Sequence, residues 1–354
     1  MSVEIYVLNK QFDILGAFST YEGIVWNPKL HEPGIFKASF IFTEKMNCML
    51  QRGNLLYKTD EDEPGIITRK YLRLNKNGEE TIQVEGYMAS RYLNRRIIWN
   101  KMILKGTPEE VMRRMVHEQI ISPAISERKI DCIELGEFNG YDGNIEKQVT
   151  YDNLQESLTE VSKLSELGYR LRLDYGRRKL IFEVYKGEDR TQGTEEPCVF
   201  SRDFGNVYTQ EYSEDESNYK NICLVGGPGE DPNRILRTVG SGAGLDRYEM
   251  FYNASGISDR DISTSQLYAQ MDQKGKEKLS AYYVAQAFQS KINKDKAMYF
   301  QLGDYVTCVD KRWSVMENKQ VKEIIKGFSK TEQSFVATFG DGVPTLIGLI
   351  KAKE

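Results

Sequence analysis

Histidine is nearly absent: 354 residues contain only His31 and His117, and the five cysteines stand far apart. Zinc centres, Ser-His-Asp triads and Cys-His nucleophiles draw on these residue types and need partners that converge in space. His31 lies in a turn beside Glu32-Pro33 and His117 on the polar side of a helical segment, so both are expected at the surface. Cys48, Cys132, Cys198, Cys223 and Cys308 are odd in number, sit among apolar neighbours and never form C-x-x-C. Buried thiols are therefore expected instead of a disulfide or zinc framework. G-x-S-x-G, H-E-x-x-H and Walker-type loops are missing. No apolar run approaches the length of a membrane helix. Met1-Ser2-Val3-Glu4-Ile5 lacks the basic and then apolar opening of a signal peptide, so synthesis in a reducing cytoplasm is expected.

An excess of charge of one sign is missing too. Lys and Arg number 48 against 52 Asp and Glu, and a net charge of −4 gives no general attraction to nucleic acid or an anionic membrane. The basic run Arg177-Arg178-Lys179 reads as a solvated hairpin tip. Acidic pairs are common, among them Glu188-Asp189, Asp259 with Asp261, and Asp304 with Asp310. Hydrolysis by two carboxylates needs no sequence signature, but chance alone places some of 52 acidic residues together and nothing singles out one pair. The acidic turn Asp60 to Pro64 has the composition of a metal loop and, more simply, of a solvated turn. Gly226-Gly227-Pro228-Gly229 follows a strand with no helix behind it, and Gly240-Ser241-Gly242-Ala243-Gly244 has the wrong spacing for a dinucleotide fingerprint. Both read as hairpin loops. Trp26, Trp99 and Trp313 are scattered and read as core or interface anchors.

What is present is mostly β-structure, and 21 tyrosines fit strands and protein contact surfaces. Short alternating runs fill the first hundred residues: 3–8, 16–25, 34–42, 55–58, 65–74 and 81–87, with Asn75-Lys76-Asn77-Gly78 as a hairpin turn. This spacing suggests a barrel or sandwich. Thr107 as N-cap, Pro108 at the first helical position and Glu110 three residues after the cap announce a helix. Cys132 to Leu135 follows as a strand and Asn139 to Asn144 as a glycine-rich turn. Leu154, Leu158, Val161 and Leu164 line one side of a second helix, with Asp152 and Gln155 as its expected capping box and Gly168 as its stop. Tyr169 to Tyr175 and Leu180 to Tyr185 then alternate as a hairpin. Strands return at 207–212, 221–225, 235–239, 248–252, 304–310, 319–328 and 333–339, interrupted by a helical segment from Ser265 to about Lys291 that contains Gly275. The chain thus divides into a β-domain at 1–105, an α+β domain at 106–200 and a second β-domain at 201–354.

The order of certain residues resembles a known family. Leu167-Gly168-Tyr169-Arg170-Leu171 is followed by Lys186-Gly187-Glu188-Asp189-Arg190-Thr191, then Phe200-Ser201 and Gly205-Asn206-Val207. Asn221 to Gly227, Arg247-Tyr248-Glu249 and Gly303-Asp304-Tyr305-Val306-Thr307 complete the pattern. These resemble the F-S, N-x-x-x-V-x-G, R-x-E and G-D-x-V landmarks of the siphophage and prophage tail-hub family, which is similar to the central hub of contractile-tail baseplates. The resemblance implies an α+β, mainly β fold with two β-barrel-like tube domains around an inserted small α+β domain. It further implies a homotrimeric, pseudo-hexameric hub at the tail tip. Its implied partners are the distal tail protein, the tail tube and tape-measure proteins, and receptor-binding or fibre proteins. Assembly in the host bacterial cytoplasm and residence in the virion are expected. No catalytic residue, cofactor or metal is implied. Some relatives carry a C-terminal cell-wall hydrolase, which is not expected after Glu354. The alternative from another class is a tail-associated cell-wall or polysaccharide hydrolase using a carboxylate pair.

Overall fold

A computed structural model of the chain describes residues 4–230, 232–257, 262–282, 284–294, 299–329 and 332–341. Strand accounts for 43% and helix for 20%, so the fold is mainly β with several sheets. The chain divides into two compact units. One comprises Met1–Glu211 with Phe288–Gly340, and the other is centred on Tyr212–Ala287.

The first unit is organised by a sheet that mixes early and late parts of the chain. From one edge its order runs Ile14–Phe18, Ile5–Leu8, Leu55–Lys58, Gly65–Leu74, Glu80–Met88, Ile35–Ile41 and Gly23–Asn27. It then continues through Val315–Ser329, Gln333–Gly340, Ala285–Ile292 and Val207–Asp215. The order has two ends, so no closed barrel forms among the described residues. Val315–Ser329 makes the long-range connection. Residues 326–329 pair with Gly23–Trp26, residues 321–328 with Gln333–Phe339, and residues 315–320 with Tyr305–Asp310. Side-chain alternation accounts for the strands: Phe36, Ala38 and Phe40 are buried, and Ile82 and Val84 lie on the neighbouring strand. Asn75 closes the hairpin between Gly65–Leu74 and Glu80–Met88. Its Oδ1 accepts from the backbone of Asn77 and Glu79, and Gly78 supplies a φ of +81°.

Residues 106–200 follow the expected helix, strand, helix and hairpin. Pro108–Val116 begins with the full capping box of Thr107 and Glu110. Leu154–Ser165 buries Leu154, Leu158 and Val161 but leaves Leu164 exposed. Its N-cap is Asn153, one residue after the expected Asp152, and Asn153 Oδ1 accepts from Gln155 and Glu156 without a capping box. It ends on Glu166 in the left-handed region, not on Gly168. Gly168 serves a different need: a Cβ there would lie 2.3 Å from the Tyr185 ring, so only glycine lets the strand pass. Both helices and the sheet Gly168–Asp174, Lys179–Tyr185 and Ile133–Leu135 share a core with Leu8, Leu55, Ile66, Leu93 and Met102.

The second unit is small. Ile222–Gly226 lies between Leu236–Gly240, antiparallel, and Glu249–Asn253, parallel. The expected helix near 265–291 ends at Leu279, and Ala285–Ile292 is a strand. The side chains after Leu279 follow strand alternation, with Phe288, Ser290 and Ile292 turned inward. Helix Thr264–Leu279 packs Leu267 and Met271 on Cys223, Val225 and Val239. Gly275 marks the closest approach, because a Cβ there would lie 2.7 Å from Val239 Cγ2 and 2.9 Å from Val225 Cγ2.

A helical Gly→Ala change ordinarily gains about 1 kcal/mol. Gly275→Ala should reverse that sign, since two stiff β-branched neighbours would have to move. Thermal unfolding should show a lower melting temperature for the substituted protein.

Candidate assembly interface

The acidic turn is not merely solvated, because its carboxylates meet partners within the protein. Glu61 bonds to Lys326 Nζ at 2.5 Å and lies 3.3 Å from Lys58 Nζ. Lys58 is almost fully buried, also bonds Asp60, and sits 5.0 Å from the Phe328 ring centroid. Asp62 pairs with Arg170, while its backbone oxygen accepts from Leu173. Glu63 Oε1 accepts from Ser90 N at 2.7 Å and Leu171 N at 2.9 Å. Desolvation of the partly buried Glu63 carboxyl pushes its pKa up to about 7, against the pull of those two N–H groups. The turn therefore binds the strand Val315–Ser329 through Glu61, and the strand Gly168–Asp174 through Asp62 and Glu63. No group of three or more His, Cys, Asp or Glu suited to a metal occurs among the described residues.

A second convergence joins two sequence landmarks. Gly187 lies so close to Gly303 that a Cβ would fall 2.0 Å from the Gly303 oxygen. Asp304, buried, accepts from Glu188 N at 2.8 Å, Gln301 N at 2.8 Å and Arg190 Nε at 3.1 Å. Arg190 also reaches Glu188 and Glu196. Asp304 and Asp310, considered as a pair from sequence, serve separate partners, because Asp310 pairs with Arg202. Burial raises the Asp310 pKa, but N–H groups of Trp313 and Arg312 and the Arg202 guanidinium outweigh it, leaving it below the ordinary carboxylate range. Asp259 and Asp261 lie outside the described residues.

Other expected positions divide. His117 is exposed, but His31 is buried, with Nδ1 2.8 Å from Ser162 Oγ, which corrects its surface assignment. Cys198, Cys223 and Cys308 are buried and Cys132 partly so, whereas Cys48 is exposed. Burial pushes the Cys198 thiol up to about 12. Trp26 is buried, while Trp99 and Trp313 are exposed. The Gly226–Gly229 loop joins two strands of the second unit, and the Gly240–Gly244 loop presents Leu245 at 96% exposure. Glu109 was missed from sequence. Fully buried, it accepts from the backbone of Asn139 and Gly140 and so fixes the glycine-rich turn. A carboxylate one residue past Pro108, followed by a distant N-G pair, was its only signal.

Exposed apolar side chains gather at several places. In the first unit Ile14–Phe18 forms a sheet edge with no Lys or Pro, and Ile14 and Leu15 are 47% and 39% exposed. Such an edge offers unpaired backbone donors and acceptors to another strand. The outer half of the strand Gly65–Leu74 exposes Leu72 and Leu74. In the second unit Leu224 and Phe251 are register partners on exposed positions of the small sheet.

Residues 4–341 match the family described as Siphovirus ReqiPepy6 Gp37-like protein, and the chain belongs to that family. Its fold is similar to a tail protein from Neisseria meningitidis MC58 (TM-score 0.58, 12% identity), covering 97% of this chain and 98% of that one. It is also similar to the 43 kDa tail protein of prophage MuSo2 from Shewanella oneidensis (TM-score 0.59, 10% identity), covering 95% and 98%. A third likeness is to prophage tail protein gp18 from Listeria monocytogenes EGD-e (TM-score 0.54, 10% identity), covering 99% and 98%. No curated protein matches the chain. The resemblance read from the sequence to a siphophage and prophage tail-protein family is borne out. No helix among the described residues is long and apolar enough to cross a membrane.

Two outcomes follow from this geometry. The folded-state pKa of Glu63, about 7, lies above its ordinary 4.5. Its contribution is therefore complete below the unfolded value and is lost as pH rises through 7. Stability should increase by about 2 kcal/mol on acidification from pH 8 to 5 through this group. Glu63→Gln, which keeps an oxygen for both N–H donors, should flatten that part of the curve in denaturant titrations. Asp304→Ala should cost about 3 kcal/mol, because it removes the acceptor of two backbone N–H groups and one partner of Arg190. Chemical unfolding at neutral pH measures that loss.

Proposed function

We propose that this chain is a structural component of a phage or prophage tail tip. It forms a trimeric, pseudo-hexameric baseplate hub that closes the tail tube and anchors distal tail and receptor-binding proteins. The observation that carries this reading is the family match over residues 4–341, supported by end-to-end likeness to tail-protein folds. In this reading segments 1–105 and 201–354 supply the tube-forming β-domains and 106–200 the inserted domain. Their barrel-like packing is completed between subunits, the unprotected Ile14–Phe18 edge being one place where a neighbour adds. The role is architectural and not enzymatic, and the protein resides in the virion. The tail tube and tape-measure proteins are its axial partners.

Light scattering and electron microscopy of the purified chain, alone and with its tail partners, test the proposal. A ring-like particle near three times 40.8 kDa is expected. A monomer under every condition, partners included, overturns it. Leu15→Lys should weaken self-association by roughly tenfold, about 1.4 kcal/mol, without lowering the melting temperature. A turbidity assay on bacterial cell walls should remain flat, and clearing would instead favour the carboxylate-pair hydrolase.

A further inference from the structure

An open cavity of about 380 Å³ lies between the segment after the 3₁₀ turn Ala89–Arg95 and the turn Ser126–Arg128. Arg95, Arg96 and Arg128 line it with Trp99, Ile97 and Ile125. In an acidic chain, three guanidiniums share this cavity with one carboxylate, Glu127. Glu127 accepts from Ser126 Oγ at 3.0 Å, and none of the three arginines makes an ion pair with a described residue. Burial and a neighbouring arginine lower the pKa of both Arg96 and Arg128, Arg95 acting on Arg96 and Arg96 on Arg128. Such crowding of like charge is unfavourable unless an anion completes it.

The cavity is also built. Gln119, buried, uses Oε1 to accept from Trp99 N at 3.2 Å and from Arg128 Nη1 at 3.1 Å, fixing both walls. Arg128 Nη2 donates to the Ile97 oxygen at 2.5 Å, and Arg96 Nε donates to the Arg128 oxygen at 2.7 Å. Arg128 lies 5.1 Å from the Trp99 ring centroid, yet Trp99 keeps 47% of its surface exposed. The backbone contacts explain Arg96 and Arg128 as staples between two turns. Arg95 lies 4.4 Å from the Tyr92 ring centroid, with no ion pair to a described residue, and an indole and two isoleucines stay open beside the charges.

We propose that this cavity binds an organic phosphate, the phosphate held by Arg95, Arg96 and Arg128 and its sugar ring packed on Trp99. A phosphate offers several anionic oxygens and so engages more than one guanidinium, whereas a carboxylate is satisfied by a single bidentate fork. The apolar wall of Trp99, Ile97 and Ile125 takes the less polar face of the ring.

Calorimetric titration of the full chain at low salt tests this with glucose 1-phosphate, its methyl phosphodiester, inorganic phosphate and glucose. Saturable binding of glucose 1-phosphate, about tenfold tighter than inorganic phosphate or glucose, supports the proposal. Arg95→Ala and Trp99→Ala should each weaken it about tenfold without lowering the melting temperature. Quenching of tryptophan emission in a Trp313→Phe background, where Trp99 is exposed and the remaining Trp26 is buried, gives an independent readout if Trp99→Ala folds poorly. Equal binding of the diester identifies a unit within a phosphodiester polymer as the source, and binding of the monoester alone a free sugar phosphate. Absence of saturable binding, indifference to both substitutions, or tighter binding of a single-stranded oligonucleotide overturns it.

Discussion

The turn Asp60–Pro64 concentrates four carboxylates at one bend, and the first unit depends on where each of them goes. Glu61 reaches Lys58 on the preceding strand and Lys326 on the strand Val315–Ser329, Asp62 reaches Arg170, and Glu63 receives the backbone of Ser90 and Leu171. Segments that are more than a hundred residues apart are thereby tied to one point. Left unpaired, these charges would repel one another and disfavour any compact arrangement. Their partners lie on the strands Leu55–Lys58, Gly168–Asp174 and Val315–Ser329, so the turn ties those elements to one bend. Burying Lys58 is possible only inside this arrangement, since a lysine out of water needs its counter-ions at hand.

The same logic applies at Asp304. The short strand Asp189–Arg190 runs parallel to Tyr305–Asp310, and the two segments meet at Gly187 and Gly303, where a side chain on Gly187 would collide and Gly303 takes a φ of +96°. Glycines permit the approach, and the carboxylate then satisfies the backbone and the guanidinium brought in by it. The landmarks that identify the family are therefore packing devices. Asn206 accepts from Ser201 N and donates to the Val199 oxygen, and in the second unit Asn221 accepts from Tyr248 N and donates to the Asp246 oxygen. Polar side chains that bracket backbone in this way fix loops without chemistry of their own. This agrees with the structural tail role that the family match supports.

What the sequence determined by itself was local. Alternation placed Leu55–Lys58 and Gly65–Leu74 within their observed bounds, and Thr107, Pro108 and Glu110 defined a helix start, because period and capping act over a few residues. The order of landmarks sufficed to recognise the family, since such residues keep their sequence positions whatever they touch. Tertiary structure alone decided the rest. The helix after Ser263 had to stop at Leu279 because the following residues belong to a sheet, a preference set by partners and not by propensity. His31 went inside because Ser162, 131 residues away, offered it a hydrogen bond. The acidic turn gave no sign of its role, as its partners at Ser90, Arg170, Leu171 and Lys326 are invisible at short range. Charge pairing and strand pairing between distant segments depend on which surfaces meet, and that is settled only when the whole chain has folded.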